Sequence, residues 1–473
     1  MKQLLLISPA NKRLCDRAKS RSFPAVGLPI IANLTPPEWN VTIVDEGWGD
    51  EIDFDNRYDL VGIGMMTGQA PRAYQIATRF RNRGTRVVFG GSHPSVCADE
   101  ALQYGDSVVI GEAEHSWPQL LRDLEAGSLE RTYTSDWPAE GWYSPPRRDL
   151  VKTNVGLGVR PMLASRGCPH RCTFCSVHHV FGRRYRFRPV EDVVAEVEQL
   201  AKSGGRVIVF LDDNIMGNRE WAKELFRRLT PLKIKWGGQT TLGAAQDQEM
   251  MRLASRSGCF SMFVGIESVN RGALKGVKKS FNQIERYRDW CRIYHDNGIV
   301  ILAGVVFGFD EDDRHVFELT VEVLDRLGVG FPNFTLLIPL PGTDIYRQMK
   351  AEGRLLTDDW ERYTGSEVVF RPRLMTPEQL QEGSDWADFQ FYKPSGIARR
   401  FLSDNWQHPL YYWGLGFAYW YKCFEHTRGR AIRLGREKLE REMEPFGLVK
   451  NGRRPVGRII ESIGRRLGVA GLP

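Results

Sequence analysis

Three cysteines set close together carry the most specific chemistry in this sequence. Cys168, Cys172 and Cys175 lie in the run Ser165-Arg166-Gly167-Cys168-Pro169-His170-Arg171-Cys172-Thr173-Phe174-Cys175, whereas Cys15, Cys97, Cys259, Cys291 and Cys423 are scattered singly. The spacing C-x3-C-x2-C puts three thiolates on one loop. A four-iron cluster held by three thiolates keeps one iron free of protein ligands, open for a small molecule to chelate. Structural zinc instead wants a closed set of four ligands. His170, His178 or His179 could supply the fourth, so a non-catalytic zinc-binding scaffold is the competing reading.

This loop resembles the signature of the radical S-adenosylmethionine (SAM) superfamily, and later segments resemble that family in the expected order. Leu211-Asp212-Asp213-Asn214 ends the second strand of the same region and Gly265-Ile266-Glu267-Ser268 the fourth; Gly304–Phe309 is glycine-rich, and Pro339-Leu340-Pro341-Gly342-Thr343 ends the sixth. Singly, an acidic pair or a Gly-Thr is ordinary turn chemistry; their order carries the resemblance. It implies a [4Fe–4S] cluster on Cys168, Cys172 and Cys175. It also implies SAM contacts from Phe174 beside the adenine and Glu267 on the polar part of SAM, with Ser268 and Asp213 as further contacts. Reduction of such a cluster splits SAM into methionine and a 5′-deoxyadenosyl radical, which takes hydrogen from an unactivated carbon. An external electron donor such as flavodoxin or ferredoxin is implied. The cofactor carries the chemistry, and the protein supplies position and exclusion of water.

Ahead of this region, Met66-Thr67-Gly68-Gln69-Ala70-Pro71-Arg72-Ala73-Tyr74, Gly90-Gly91-Ser92-His93-Pro94 and Gly111-Glu112-Ala113-Glu114 resemble the cobalamin-binding domain of one large radical SAM subgroup. With the cysteine region, the resemblance covers residues 1–375. It implies cobalamin contacts at Met66, Thr67, Gly68, Gly90, Gly91, Ser92, Gly111 and Glu112. The D-x-H-x-x-G motif that gives cobalt a histidine in other cobalamin proteins is absent, since Asp45-Glu46-Gly47-Trp48-Gly49 has no histidine. Many members of the subgroup lack it too, and His93 reads as a loop residue rather than an axial ligand. The resemblance implies methylation of an unactivated carbon or phosphorus centre of a small-molecule substrate. The runner-up is a radical SAM enzyme without methyl transfer, performing cyclisation, oxidation or C–C bond formation.

The elements that must position these residues are legible as alternating apolar runs and helical periods, which predict an α/β fold with parallel sheets. In the first region the strands are expected at Leu4–Ile7, Val41–Val44, Leu60–Gly64, Arg86–Phe89 and Ser107–Ile110, with helices at Pro71–Arg83 and Ala98–Tyr104. They predict a doubly wound, flavodoxin- or Rossmann-like domain over residues 1–130, whose ligand lies beyond the carboxyl ends of its strands. A linker is expected over 131–150. Strands at Met162–Ser165, Val207–Leu211, Trp236–Thr240, Met262–Ile266, Ile299–Val306 and Phe334–Ile338 predict a partial (β/α)6 barrel over 151–375. Helices are expected at Val190–Lys202, Arg219–Leu229, Asp247–Ser257 and Phe281–Asn297, and a mainly helical C-terminal region over 376–473.

Composition agrees with this plan. The chain has 473 residues, 26% charged and 42% hydrophobic, which suits two or three globular domains and excludes disorder or a pure coiled coil. The apolar run Leu4–Ile7 is too short for a secretory signal, and no run reaches the length of a membrane span. A cytoplasmic protein with reduced thiols is expected. From Ile397 onward there are 15 Lys and Arg against 7 Asp and Glu, while the whole chain is +7, so the basic excess lies in the tail. That tail combines the aromatic run Leu410–Tyr421 with Val456, Ile459, Ile460, Ile463 and Leu467 at helical spacing among arginines. This predicts either a docked helix or peripheral contact with the inner membrane surface, and in the second case a hydrophobic or lipid-like substrate. No strand series typical of an RNA-binding domain accompanies the basic tail, so nucleic acid is not an expected partner.

Overall fold

The strand Leu4-Leu5-Leu6-Ile7 is buried on both faces, at 0–1% exposure, as the central strand of a parallel sheet must be. The computed structural model describes residues 1–11, 13, 26–134, 137, 143–151, 158–393 and 396. The basic aromatic tail, Cys15, Cys423 and much of the expected linker lie outside the described residues. The first sheet consists of β1 (Lys2–Ser8), β2 (Trp39–Asp45), β3 (Leu60–Gly64), β4 (Arg86–Gly90), β5 (Ser107–Ile110) and β6 (Thr132–Thr134). Their order is β2-β1-β3-β4-β5-β6, and every pairing is parallel. Alternate residues face opposite cores: Leu5, Ile7, Val61 and Phe89 join one, and Leu4, Leu6, Leu60 and Val88 the other. The order reverses between β1 and β3, which places the ligand crevice at the carboxyl ends of β1, β3 and β4.

The second sheet contains β7 (Val159–Met162), β10 (Val207–Phe210), β11 (Lys235–Thr240), β12 (Cys259–Glu267), β13 (Val300–Phe307) and β14 (Phe331–Leu336). They pair in parallel in sequence order from β7 to β14, giving the expected partial barrel. A two-residue antiparallel pair, β8 (Ser165–Arg166) with β9 (Arg186–Phe187), stands beside it. The helix Pro377–Tyr392 starts with a capping box between Thr376 and Gln379, has Pro377 in its first turn, and covers the barrel edge. Its Leu380 closes over Gly308, and the Tyr392 hydroxyl donates to the Pro332 carbonyl at 2.6 Å. No helix among the described residues is long and apolar enough to cross a membrane.

Four expectations need correction. The first sheet does not end at residue 130, because β6 pairs with Val108–Ile110 inside the segment read as a linker. Three residues with only Tyr133 buried are too short to show a period. The strand expected at Met162–Ser165 divides instead, ending at Met162 and resuming as β8. Asp212 causes the break by taking the Ala164 N–H and the Ser165 hydroxyl. The helix expected from Phe281 begins only at Tyr287 after a short 3-10 turn, since the Asn282 amide donates to the Gly265 and Ile266 carbonyls and holds that segment on β12. The helix expected over Ala98–Tyr104 is a single turn, Ala98–Ala101.

Candidate functional site

The cysteine loop is built outward from the end of β7. The buried carboxylate of Asp212 accepts from Ala164 N at 3.1 Å and from Ser165 Oγ at 2.5 Å, and Asp213 Oδ2 accepts from Gly167 N at 3.2 Å. Burial pushes these two carboxyls up to about 7 and about 6. Gly167 has φ +85°, and a Cβ there would lie 2.2 Å from the Arg184 carbonyl, so only glycine makes this turn into Cys168. Farther along, Thr173 N donates to Val277 O at 3.2 Å and Ile345 N donates to Thr173 O at 3.1 Å. The loop is thus pinned to segments that follow β10, β12 and β14.

Desolvation raises all three thiols above the usual cysteine range, Cys175 to about 12. Beside them lies Lys279, 8% exposed, whose Nζ is 2.5 Å from Glu267 Oε1 and whose charge draws Cys172 back down. Glu267 sits at φ +63°, where the register of β12 against β13 shifts. That conformation is uncommon for a residue with a side chain and is typical of functional sites. Ser268 is 2% exposed and its hydroxyl accepts from Asn270 N, shaping the turn into the next helix. Phe174 packs on Phe309 with ring centroids 5.8 Å apart, and Asp312 accepts from Gly308 N and Phe309 N at 2.9 and 3.0 Å.

The strand ends of the first domain meet the segments that flank this loop, Ser92–Val96 against Val177–Val180 and Glu112 and Glu114 against Arg166. Met66 is 63% exposed beyond β3, and Gly68 lies close enough to Asn11 for its carbonyl to accept from Asn11 Nδ2 at 2.7 Å. A Cβ on Gly90 would meet nothing within 4 Å, whereas one on Gly91, at φ +103°, would lie 2.6 Å from the Met65 carbonyl. Ser92 opens the short helix Ser92–Val96, and Gly111, at φ +77°, lies near the Val180 carbonyl. Thr67 and His93 are buried, with Thr67 Oγ1 3.4 Å from His93 Nδ1 and Tyr74 hydroxyl 3.2 Å from His93 Nε2. Trp360 packs edge-on against the His93 ring at 5.4 Å. His93 is therefore enclosed, not presented as an axial ligand. Glu112 is engaged across the domain boundary: Arg186 donates to both its oxygens, one at 2.7 Å, and Arg166 lies 3.5 Å away. Its side chain, expected at cobalamin, is thus occupied by two arginines.

Two family models match the chain: "Radical SAM superfamily" over residues 162–322 and "B12 binding domain" over residues 22–121. The bacteriochlorophyllide d C-12(1)-methyltransferase of Chlorobaculum tepidum is 31% identical over 409 residues, covering 84% of this chain and 89% of that relative. This chain belongs to the cobalamin-dependent radical SAM methyltransferase family. The hopanoid C-2 methylase of Rhodopseudomonas palustris, another relative, is 27% identical over 394 residues, 80% of this chain and 73% of that one. The solved radical SAM methyltransferase TsrM of Kitasatospora setae, with cobalamin and a [4Fe–4S] cluster bound, shares the fold at a TM-score of 0.67 and 16% identity, covering 94% of this chain and 100% of that chain.

The residues of this radical SAM chain fit the family's groups. Three desolvated thiols beside a buried lysine form a donor set that becomes anionic readily only against a metal centre. Among the described residues, the trio of His, Cys or acidic ligand atoms lying within 4.8 Å of one another is His93, Cys97 and Glu100. The three loop thiols are spread more widely, and neither His170, His178 nor His179 closes a four-ligand set around them, which disfavours a single zinc ion. The open space at Gly90 and the exposed Met66 fit a large ligand over the first sheet. Sequence reasoning missed Lys279, the bracing roles of Asp212 and Asp213, and Tyr185, whose hydroxyl accepts from Asn214 Nδ2 at 2.8 Å and draws the Cys168 thiol back down. A lysine within Lys278-Lys279 carries no sequence signal for burial, because charged residues are ordinarily exposed.

Proposed function

We propose that this radical SAM enzyme methylates an unactivated carbon of a hydrophobic, small-molecule substrate held between the cysteine loop and the first domain's strand ends. The observation that carries this reading is the joining of the first domain's strand-end loop to the cysteine loop, where Glu112 and Glu114, just after Gly111, pair with Arg166 and Arg186 beside Cys168. Cys168, Cys172 and Cys175 hold the cluster, Phe174 and Phe309 wall the adenine of SAM, and Glu267 with Lys279 meets its polar end. Gly68, Gly90, Gly91 and Gly111 let the backbone approach cobalamin closely. When bound, the cluster with SAM supplies a hydrogen-abstracting radical, and cobalamin supplies the methyl group. The chain's own residues keep water from the space between the domains and hold the substrate carbon there. The test is anaerobic turnover with methyl-deuterated SAM, a low-potential donor such as flavodoxin or ferredoxin, and extracts of the source organism. A labelled product formed together with 5′-deoxyadenosine supports methyl transfer; 5′-deoxyadenosine with an unlabelled, rearranged product favours the runner-up.

The cobalamin crevice makes a prediction of its own. Gly90→Leu places a side chain in open space, so the protein should fold and keep its iron while retaining less cobalamin. Gly91→Leu should lose stability as well, because φ +103° with ψ −172° is a conformation essentially restricted to glycine, which costs other residues about 1–3 kcal/mol. Cobalamin and iron per chain, with a thermal melt, check both variants. Undiminished cobalamin in Gly90→Leu removes that strand end from the crevice.

The substrate's hydrophobic character rests on the basic, aromatic tail, which lies outside the described residues. An enzyme acting on a membrane-borne molecule gains about 1 kcal/mol per arginine near an anionic leaflet. Intact protein should bind anionic vesicles at low salt and release them as salt rises. A chain truncated after Glu444 should not bind, while its SAM cleavage persists.

A further inference from the structure

Four charged side chains meet where the two domains touch, and all are buried: Glu112 at 4% exposure, Glu114 at 8%, Arg166 at 8% and Arg186 at 6%. Arg186 donates to both carboxylate oxygens of Glu112, and Arg166 Nη1 lies 2.7 Å from Glu114 and 3.5 Å from Glu112. Placement in the chain gives the set its meaning. Glu112 and Glu114 directly follow β5, on the loop whose Gly111 borders the cobalamin crevice. Arg166 stands two residues before Cys168, and Arg186 is its register partner across β8 and β9.

Like charges directly opposite one another on an antiparallel pair repel. Here the pair is only two residues long and withdrawn from water, so the repulsion is poorly screened. The hairpin that leads into the cluster loop therefore carries two positive charges, and the first domain's Glu112 and Glu114 pair with both of them. In the opposite direction, two buried carboxylates depend on the cluster hairpin.

We infer that Glu112, Glu114, Arg166 and Arg186 are positioning residues that lock the cobalamin-bearing loop to the cluster-bearing loop and so set the separation of the two cofactors. The inference rests on the proposed function for its purpose, not for its geometry. Retention of the cluster falls to other bonds, those of Asp212 to Ala164 and Ser165 and of Thr173 to Val277, all within the barrel. The quartet and the cluster are thus separable by mutation.

The decisive experiment is electron paramagnetic resonance of the anaerobic, cobalamin-loaded protein with its cluster reduced, compared in the parent, Arg186→Met, Arg186→Lys and Glu114→Gln. A nearby reduced cluster speeds the relaxation of the cobalt(II) spin with a steep dependence on distance. In Arg186→Met the microwave power that half-saturates the cobalt signal should fall several-fold, with iron and cobalamin per chain at the parent's level. Arg186→Lys should recover part of the effect, since lysine restores the charge but not the two-pronged contact. If Arg186→Met does not fold, Glu114→Gln, which removes one partner of Arg166 alone, gives the same reading in smaller degree. Unchanged relaxation in folded Arg186→Met and Glu114→Gln overturns the inference, as does loss of iron in step with the signal. A parent that cleaves SAM but transfers no methyl group overturns the proposed function, while the relaxation measurement still decides the positioning role.

Discussion

Cys172→Ala should abolish both the iron–sulfur centre and formation of 5′-deoxyadenosine while leaving the fold intact. Cys172 is 6% exposed, on a loop whose backbone is fixed by Asp212, Asp213, Val277 and Ile345, none of which depends on its thiol. Two remaining thiols cannot hold a four-iron centre that already has one iron without a protein ligand. Iron and sulfide after anaerobic reconstitution should fall to the level of background binding, and SAM should survive reduction uncleaved. Circular dichroism should match the parent. SAM cleavage by the variant would remove the cluster assignment altogether.

Lys279→Met should cause a large loss of stability for a single side chain outside the hydrophobic core. It deletes one partner of a buried ion pair, Lys279 with Glu267, in which both side chains are only 10% and 12% exposed. Removing one partner leaves an uncompensated buried charge, which costs about 3–5 kcal/mol, whereas neutralising both is far milder. The double variant Lys279→Met with Glu267→Gln should therefore recover much of the midpoint lost in denaturant. Iron uptake should be slower in both, because the cation beside Cys172 and Cys175 is gone. If the single and double variants are equally unstable, the pair is not coupled and Lys279 acts through packing alone.

The chemistry of this protein was legible wherever it depended on residue type and spacing within one short segment. Cys168, Cys172 and Cys175 announce a cluster loop because metal ligation needs a fixed number of donors at short reach. The two parallel sheets were legible because their strands are continuous apolar runs: Leu4–Ile7 is buried on both faces, and in Val207–Phe210 Ile208 and Phe210 are buried while Val207 and Val209 are half-buried. Strands without that property escaped: β6 is three residues long, and the two-residue β8 and β9 exist through their mutual pairing and the Asp212 brace. The site's electrostatics were also invisible. Glu267 stands 12 residues before Lys279, and Glu112 is separated from Arg186 by 74. No local period or propensity records such distant partners; the signs of the charges are written in the chain, but their burial is not. The family's cofactors, a [4Fe–4S] cluster, SAM and cobalamin, were therefore legible in the sequence alone. Which carboxylates brace the loop, which cation faces the thiols and how the two domains lock together were decided by the tertiary structure. A charged side chain costs too much to bury until folding brings its counter-charge to it.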